Sequence, residues 1–502
     1  MAVSVFFLTF LLLLLPAFLL FNRNRRGRSL PPGPFQLPII GNLHQLREVN
    51  HRSLWSLSKQ FGSLMFLKLG RRPLLVASSA EMAREVMKSQ DLQICSRPSF
   101  VSQTMLSYNN RDVVFAPYGP HWRKMRKISI LELFSVTKVQ SFSSIRNQEL
   151  RKMIRRITRS CSSPQEPVDL SEMLLTFTNE ILLRIAFGES YLRGDEQQKV
   201  KLLDAVKEEL TLLSAFFIMD YLPQLGWIDV LTGLFGRLRK NFNELDSLYE
   251  NVFEEHLDKK SPTPEKEAFV DILLRLQREL NLGTDDIKGT LMDFLIGGSD
   301  TTSAALEWAM TELMRNPSAM MKAQEEVRRI VKGKQQVEET DIHKLEFLNA
   351  VIKETLRLHP PAPLLLPRET LHHCKIAGYD IPPQTTVIVN AFAIGHDQES
   401  WQNPEEFMPE RFENSSIDYR GKDFELVPFG AGRRGCPGLS FGIANVELAL
   451  ANLLFCFDWE LPEGMSREEI DMSDTYRIVM TRKTPLRLVP IIYCTGTNES
   501  ES

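Results

Sequence analysis

A single cysteine near the carboxyl end of the chain stands among glycines and arginines, and its chemistry is the easiest to name. Residues 429–438 read FGAGRRGCPG, and an apolar helical pattern follows at 441–454. A thiolate from Cys436 is a soft ligand that suits iron, and Arg433, Arg434 and a following helix N-terminus favour its negative charge. The glycines allow tight turns and close approach to a flat ligand. The stretch indicates either an iron-binding thiolate loop or, as the plainer alternative, a glycine-rich loop with a buried structural cysteine.

A second stretch places two glycines, an acid and an alcohol in the middle of one long helical pattern. The pattern covers 285–316, begins with two aspartates and ends before Pro317. Inside a helix, Gly297 and Gly298 each cost about 1 kcal/mol relative to alanine. That cost indicates that something flat approaches the helix here or that the helix bulges. The alternative is a glycine pair that packs two helices together, beside an incidental Asp300.

Together these stretches resemble the cytochrome P-450 monooxygenases. Five residues match the haem-thiolate loop of that family in register, and further motifs extend the likeness over nearly the whole chain: Phe429, Gly432, Arg434, Cys436 and Gly438. The resemblance implies a mainly α fold with a small β-sheet subdomain. In that fold the haem lies between a long distal helix and a proximal cysteine loop and helix. It also implies heme b (iron protoporphyrin IX) as cofactor, with Cys436 as the iron ligand that favours O–O cleavage.

The resemblance assigns roles to other motifs. Asp300 and Thr301 occupy the positions of the acid–alcohol pair that assists proton delivery, and Phe429 is expected to lie against the macrocycle. Four side chains are expected to bind the haem propionates: Trp122, Arg126, Arg368 and Arg434. A Glu-x-x-Arg motif and a Pro-Glu-Arg-Phe box are expected to form a buried structural network: Glu354, Arg357 and Arg411.

The spacing of Trp122 and Arg126 gives their role a local basis. Residues four apart share one face of a helix, so an indole N–H and a guanidinium can reach one anionic group. The same spacing is common in packed surface pairs. Arg123, Lys124 and Lys127 make the outer face of this helix basic, which suits an acidic electron donor but also describes an ordinary solvated face.

The amino-terminal residues predict a membrane anchor. Residues 5–21 are almost wholly apolar and are followed by arginines at 23–28; this is barely long enough to cross a hydrocarbon core of about 30 Å. A cleaved signal peptide carries its positive charge before the apolar run, which disfavours the alternative of a secreted protein. The positive-inside rule places the amino terminus in the lumen and the rest in the cytosol. We expect a single-pass protein of the endoplasmic reticulum membrane.

Four segments follow from this organisation. An anchor helix is predicted at 1–22, and a basic, proline-rich hinge at 23–45, where the prolines stiffen the chain. The haem-thiolate catalytic domain is predicted at 46–493. The polar residues 494–502 are predicted to form a disordered tail.

Composition excludes several other classes of protein. The 502 residues carry a formal net charge of -3, which gives no nucleic-acid signal. Six cysteines are scattered without a Cys-x-x-Cys, which argues against a zinc site or a disulfide framework and for a reducing compartment. The chain has no nucleotide-binding fingerprint. Electrons are therefore expected from a separate NADPH-dependent flavoprotein, NADPH-cytochrome P-450 reductase.

The sequence also predicts a small sheet and the lining of a substrate pocket. Strands are predicted at 64–70, 73–77, 376–381 and 386–390, and by resemblance 210–219 falls at a mobile lid. A hairpin tip at 477–480 is expected to enter the pocket. The candidate pocket residues are all apolar: Phe100, Met105, Leu212, Phe216, Leu295, Ala362, Leu366, Ile478 and Val479.

The chain most resembles the plant microsomal members of specialised metabolism. The expected reaction inserts one oxygen atom from O2 into a small apolar metabolite: a terpenoid, a phenylpropanoid, an alkaloid or an oxime. A first alternative is a haem-thiolate dehydratase or isomerase, acting for example on aldoximes, without net oxygen insertion. A second is a haem-binding sensor or carrier, which has no need of a large apolar pocket or an acid–alcohol pair.

Overall fold

A computed structural model describes residues 29–45, 50–161, 166–192, 196–257, 267–475 and 477–493, except for the side chains of 189–192 and 196. The predicted anchor at 1–22, the first part of the hinge and the predicted tail lie outside these residues. Their organisation stays a prediction.

Helices make up most of the described chain, as the sequence predicts. They are α1 His51–Phe61, α2 Ala80–Arg84, α3 Val101–Leu106, α4 Pro120–Ile128, α5 Val136–Ser141, α6 Ser143–Ser160, α7 Leu170–Leu192, α8 Glu196–Leu213, α9 Ile218–Tyr221, α10 Trp227–Leu231, α11 Leu234–Leu257, α12 Phe269–Leu280, α13 Thr284–Arg315, α14 Pro317–Ile330, α15 Glu339–Ile342, α16 Glu346–Leu358, α17 Ala391–Gly395 and α18 Leu439–Cys456.

In the part of the chain that the structure describes, nine short strands form three small sheets. They are β1 Leu64–Leu69, β2 Arg72–Ala77, β3 Val168–Asp169, β4 Arg368–Glu369, β5 Cys374–Ile376, β6 Tyr379–Ile381, β7 Thr386–Val389, β8 Phe457–Glu460 and β9 Arg487–Ile492. The largest sheet has the order β1-β2-β7-β4, with β2 and β7 parallel and its other pairs antiparallel. The other sheets are β3-β9-β8 and β5-β6.

The long helix α13 lies at the centre of the molecule. It packs against α7, α16 and α18, and side chains on all its faces are buried between Ile287 and Met314. A helix that is buried all round is a core element. Asp286 accepts a hydrogen bond from the Gly283 N–H at 2.9 Å, which caps the first turn. The predicted helix at 285–316 is confirmed to within one residue at each end.

The predicted strands are confirmed with one correction. The stretch 376–381 is not one strand, because Ala377 and Gly378 have φ of 49° and 83° and turn the chain between β5 and β6. Among the described helices, only α18 is long and apolar enough to cross a membrane. It is buried in the core, which explains its composition.

Candidate active site

A cavity of about 290 Å³ lies between α13 and the cysteine loop 429–438. Its apolar wall includes Phe115, Phe294, Leu210, Leu213, Ala362, Leu366, Ile478 and Val479. Its polar lining includes Arg97, Trp122, Arg126, Arg368, Arg434, Thr301 and Asp293. An apolar space with a few convergent polar groups is the usual form of a small-molecule site.

Cys436 reaches this cavity from a position three residues before the start of α18. Its side chain is exposed, and the space to which it is exposed is the cavity that it lines. Burial raises the pKa of the thiol, while hydrogen bonds from the amides of Gly438 and Leu439 and the charge of Arg126 lower it. A bound metal ion displaces the thiol proton, and the amides then stabilise the thiolate.

The arginine that acts on Cys436 differs from the sequence prediction. Arg433 pairs instead with Asp91, at 2.8 Å between Nη1 and Oδ2. Arg434 donates to the carbonyls of Cys95 and Ala116 at 2.7 and 2.6 Å. Arg126, which donates to the Gly435 carbonyl, is the cation close to the sulfur. Arg433 and Arg434 therefore do not stabilise the charge of Cys436, because their side chains bind other partners.

Only part of the glycine prediction for this loop holds. Gly432 has φ of 67°, and a Cβ there would overlap the Met87 carbonyl oxygen. This position therefore requires glycine. Gly435 and Gly438 have φ of −56° and −87°, which any residue adopts. The backbone alone does not require glycine at those two positions.

Four arginines line the cavity with too few acids to balance them: Arg97, Arg126, Arg368 and Arg434. Among the described residues only Arg368 has a carboxylate partner, Asp91, at 2.9 Å. Burial lowers the pKa of all four, that of Arg434 to about 9. Buried cations without counterions are costly unless a ligand pairs with them. These residues fit an anionic ligand, such as the two propionates of a haem.

Trp122 and Arg126 lie on one face of α4 and both line the cavity. The indole N–H donates to the Val113 carbonyl at 3.0 Å. Arg97 was not predicted from the sequence. It donates to the carbonyls of Val114, Leu366 and Pro367 at 2.7–2.9 Å, and an arginine before a proline gives no signal of such contacts.

On the opposite side of the cavity, α13 presents Thr301 but not Asp300. Thr301 lines the cavity and its hydroxyl donates to the Gly297 carbonyl at 2.6 Å. Asp300 is turned toward Ser299, whose hydroxyl lies 3.3 Å from Oδ1. Burial raises the pKa of Asp300, against this hydrogen bond and the charges of Arg477 and Lys207.

The two glycines of α13 have different environments. Gly297 has open space where a Cβ would be, and both glycines line the cavity. At Gly298 a Cβ would lie 2.6 Å from the Leu182 side chain on α7. Gly298 therefore packs the two helices together, as the alternative interpretation predicts, whereas Gly297 leaves open space beside the helix. The helix runs through this point without an interruption.

The predicted network around Glu354 is assembled in the interior. Arg357 donates to both oxygens of Glu354 at 2.7 Å. Arg411 donates to Oε1 at 2.9 Å, and Arg357 also binds the carbonyls of Gly395 and Pro404. These contacts tie α16 to the chain that leads to the cysteine loop. A buried pair with further hydrogen bonds of this kind is costly to break on one side.

Of the predicted pocket residues, four line the cavity: Ala362, Leu366, Ile478 and Val479. Five do not: Phe100, Met105, Leu212, Phe216 and Leu295. Leu212 and Leu295 face the core, because the cavity side of each helix is one or two residues away, at Leu210, Leu213 and Ile296. Met105 also packs against the core.

The aromatic residues Phe100 and Phe216 lie near the surface. Phe216 stacks on Tyr221 at 4.6 Å between ring centroids. The Phe100 ring lies 6.2 Å from the Tyr221 ring, measured between centroids. The guanidinium carbon of Arg72 lies 4.6 Å from the centroid of the Phe100 ring. These contacts join α3, α9 and β2 outside the cavity.

A cysteine thiol that shares an apolar cavity with a threonine, between four arginines, defines a haem-thiolate site in a mainly helical fold. The sequence model of the family "Cytochrome P450" matches residues 31–489. The chain belongs to this family and is a cytochrome P450 monooxygenase. Its cofactor is heme b, and members of the family typically receive electrons from NADPH through a redox partner. When bound, haem supplies the activation of O2 and the transfer of one oxygen atom.

The particular relatives are plant proteins. Cytochrome P450 71A1 of Persea americana is 49% identical over 89% of this chain and 91% of its own length. Strychnine-11-hydroxylase of Strychnos nux-vomica is 49% identical over 92% and 91%. Phenylacetaldehyde oxime monooxygenase CYP71AN24 of Prunus mume is 44% identical over 96% and 94%. Plant proteins of this group are typically microsomal membrane proteins.

Solved structures show the same fold. A zebrafish cytochrome P450 solved with progesterone superimposes with a TM-score of 0.73 at 24% identity, over 88% of this chain and 99% of that chain. The mainly α fold with small sheets is thereby confirmed.

Proposed function

We propose that this protein inserts one oxygen atom of O2 into a small apolar plant specialised metabolite: a terpenoid, a phenylpropanoid, an alkaloid or an oxime. The second oxygen atom takes up two electrons and two protons and leaves as water. NADPH-cytochrome P-450 reductase supplies the electrons. The observation that carries this proposal is the apolar cavity that contains both the Cys436 thiol and the Thr301 hydroxyl.

The residues have distinct tasks in this proposal. Cys436 holds the iron, and the haem propionates bind among Trp122, Arg126, Arg368 and Arg434, with Arg97 added to that set. The Thr301 hydroxyl serves as a proton donor beside the substrate, since Thr301 lines the cavity. Asp300 supplies protons from behind the helix, where burial favours its neutral form. Phe429 lies against the macrocycle from the loop side.

Two relatives bear on the substrate class. One is named for strychnine, an alkaloid, and another for phenylacetaldehyde oxime. The cavity wall supports an aromatic or polycyclic substrate, because Phe115, Phe134 and Phe294 all line it and rings pack well against rings. We therefore rank alkaloids and amino-acid-derived oximes first among the four classes.

The membrane association in this proposal has support from an exposed apolar surface. Ile39 in the hinge is 80% exposed, and Trp227 and Leu231 in α10 are 57% and 76% exposed. The β1–β2 turn joins these segments, since Gly70 and Arg71 donate to the carbonyls of Ile40 and Tyr221 at 3.0 Å. Exposed apolar side chains on segments that are linked in this way suit a membrane surface. The anchor at 1–22 would hold the protein in the endoplasmic reticulum membrane, with the catalytic domain in the cytosol.

The reductase is proposed to dock on the face of α4 that points away from the cavity. Arg123, Lys124 and Lys127 are exposed there, and Arg126 links this helix to the cysteine loop at Gly435. A basic surface attracts an acidic partner and raises its association rate. Electrons entering here have a short path to the Cys436 side of the site.

A substrate panel tests the proposed reaction. Membranes containing the protein and a plant reductase are given terpenes, phenylpropanoids, alkaloids and oximes, with and without NADPH, and Cys436→Ser serves as the control. The proposal expects a product heavier by one oxygen atom, formed only with NADPH and only by the unaltered protein. A product lighter by one water would instead assign the dehydratase reaction.

A further inference from the structure

Two aspartates without a role so far, Asp112 and Asp293, lie together at the edge of the cavity. Asp293 is on α13 and lines the cavity, whereas Asp112 precedes α4. Backbone N–H groups bind one oxygen of each: Val113 and Val114 donate to Asp293 Oδ2 at 2.7 and 3.2 Å, and Phe115 donates to Asp112 Oδ2 at 2.7 Å. The two carboxyl groups are thus held in fixed orientations.

The remaining oxygen of each carboxyl group faces the other aspartate. Both Oδ1 atoms are buried and have no partner among the described residues other than each other. Gly289, one turn before Asp293, allows this approach, because a Cβ there would lie 3.2 Å from the Asp112 nitrogen. Two carboxylates in contact cannot both be ionised without a large cost. A proton shared between them removes that cost.

Burial raises the pKa of both carboxyl groups. Burial raises the pKa of Asp112 to about 6. The pKa of Asp293 is raised by burial and then by the charge of Asp112. Asp112 is therefore the partner that ionises first as the pH rises, and Asp293 is the one that keeps its proton longer.

The backbone of residues 112–116 connects the two carboxyl groups to the cationic side chains of the cavity. Its N–H groups point to the two carboxyl groups, and its carbonyls accept from the cationic and indole groups. Arg97 donates to Val114 at 2.9 Å, Arg434 donates to Ala116 at 2.6 Å, and Trp122 donates to Val113 at 3.0 Å. Displacing this segment would displace three of the groups that line the cavity.

We propose that Asp112 and Asp293 share one proton and act as positioning residues, which fix the segment 112–116 and thereby the cationic site for the haem propionates. This inference rests on the propionate-binding part of the proposed function. It does not depend on the substrate or on the reductase.

The test measures haem release from the full-length protein to an excess of a haem-acceptor protein. Asp293→Leu leaves the N–H groups of Val113 and Val114 and the Oδ1 atom of Asp112 without partners, and it should release haem at least about tenfold faster at every pH. Asp293→Asn can donate to Asp112 and still accept from Val113 and Val114, and it should retain haem like the unaltered protein at pH 7. Asp286→Asn is the matched control, because Asp286 lies two turns earlier on the same helix and pairs outside the cavity with Arg111.

The pH profile separates a shared proton from a merely structural role. The pKa of Asp293 is raised by burial and by the charge of Asp112, so Asp293 is the group of the pair that loses its proton last as the pH rises. The unaltered protein should release haem faster as the pH rises, whereas Asp293→Asn should show a flatter profile. The charged groups that face the pair are Arg97 and Arg434; Arg111 and His121 face Asp286 instead.

Two results would overturn the proposal. One is a haem-release rate of Asp293→Leu equal to that of Asp286→Asn. The other is an identical pH profile for Asp293→Asn and the unaltered protein, which decides the matter even if Asp293→Leu does not fold. Failure of the substrate panel would leave these rates unchanged, so the two proposals fail independently.

Discussion

The guanidinium carbon of Arg434 lies 4.2 Å from the centroid of the Trp122 ring. Both side chains also donate to one acceptor, the Val113 carbonyl, at 3.4 Å from Arg434 and 3.0 Å from Trp122. A desolvated cation over an indole ring is worth about 2 kcal/mol. This contact fixes the position of a buried cation on the cavity wall, where the net charge is positive.

Replacing Arg434 with alanine should weaken haem binding. The change removes one buried cation and a hydrogen-bonded contact to charge, worth about 1.5–3 kcal/mol, so haem should dissociate at least about tenfold faster. The matched control is Arg433→Ala, since Arg433 is half exposed and pairs with Asp91. Haem content after gel filtration checks the result. Equal haem retention by the two variants would contradict the assignment of Arg434.

Arg357→Ala should prevent accumulation of stable haem protein. Glu354 would be left buried with one of its two arginines missing, at a cost of about 3–5 kcal/mol. Arg237→Ala is the control, because its partner Glu208 is also near the surface and such pairs contribute less than about 1 kcal/mol. The free energy of unfolding in denaturant measures both. Normal stability and haem content in Arg357→Ala would show that the network is dispensable.

Gly432→Ala and Gly435→Ala should differ sharply although they lie in one loop. At Gly432 the positive φ alone costs about 1–2 kcal/mol for alanine, and the Cβ would overlap the Met87 carbonyl. At Gly435 the nearest atom is 3.4 Å away, the Gly432 carbonyl oxygen. We expect loss of haem only in Gly432→Ala, measured by haem absorbance per protein. Haem loss in both would indicate that the haem itself needs the space at Gly435.

Asp300→Asn should slow turnover and flatten its pH dependence. An acid that passes protons contributes about a hundredfold or more. The pKa of Asp300 is raised by burial, so its protonated fraction, and with it turnover, falls as the pH rises through that pKa. Asparagine has no such transition. The exposed Asp285→Asn is the control, and an unchanged kcat and pH profile in Asp300→Asn would exclude the proton-delivery role.

The sequence predicted the parts of the site that depend on short-range spacing. Cys436 before a helix, Trp122 and Arg126 on one helical face, and Glu354 with Arg357 are each set by neighbours within a few residues. The helix α13 was predicted to within a residue because Asp286 caps its start and Pro317 follows its end.

The remaining parts depend on long-range packing that no local pattern encodes. Leu210 and Leu213 face the cavity but Leu212 does not. The stretch is nearly all apolar, so it lacks the polar residues that would show which face of the helix points to the cavity. Arg97 binds carbonyls about 270 residues away in the chain. Asp112 and Asp293 belong to segments about 180 residues apart. The direction of Asp300 depends on contacts across helices, so the sequence placed it beside Thr301 without showing that it points away from the cavity.

Oxygen transfer itself can be followed with heavy-isotope dioxygen. Membranes with the protein and its reductase convert the best substrate of the panel under that gas, and the product mass is compared with a reaction in ordinary air. We predict one heavy oxygen atom in the product, dependent on NADPH and absent from Cys436→Ser. A product formed at full yield without the heavy atom would show that the cavity catalyses another reaction.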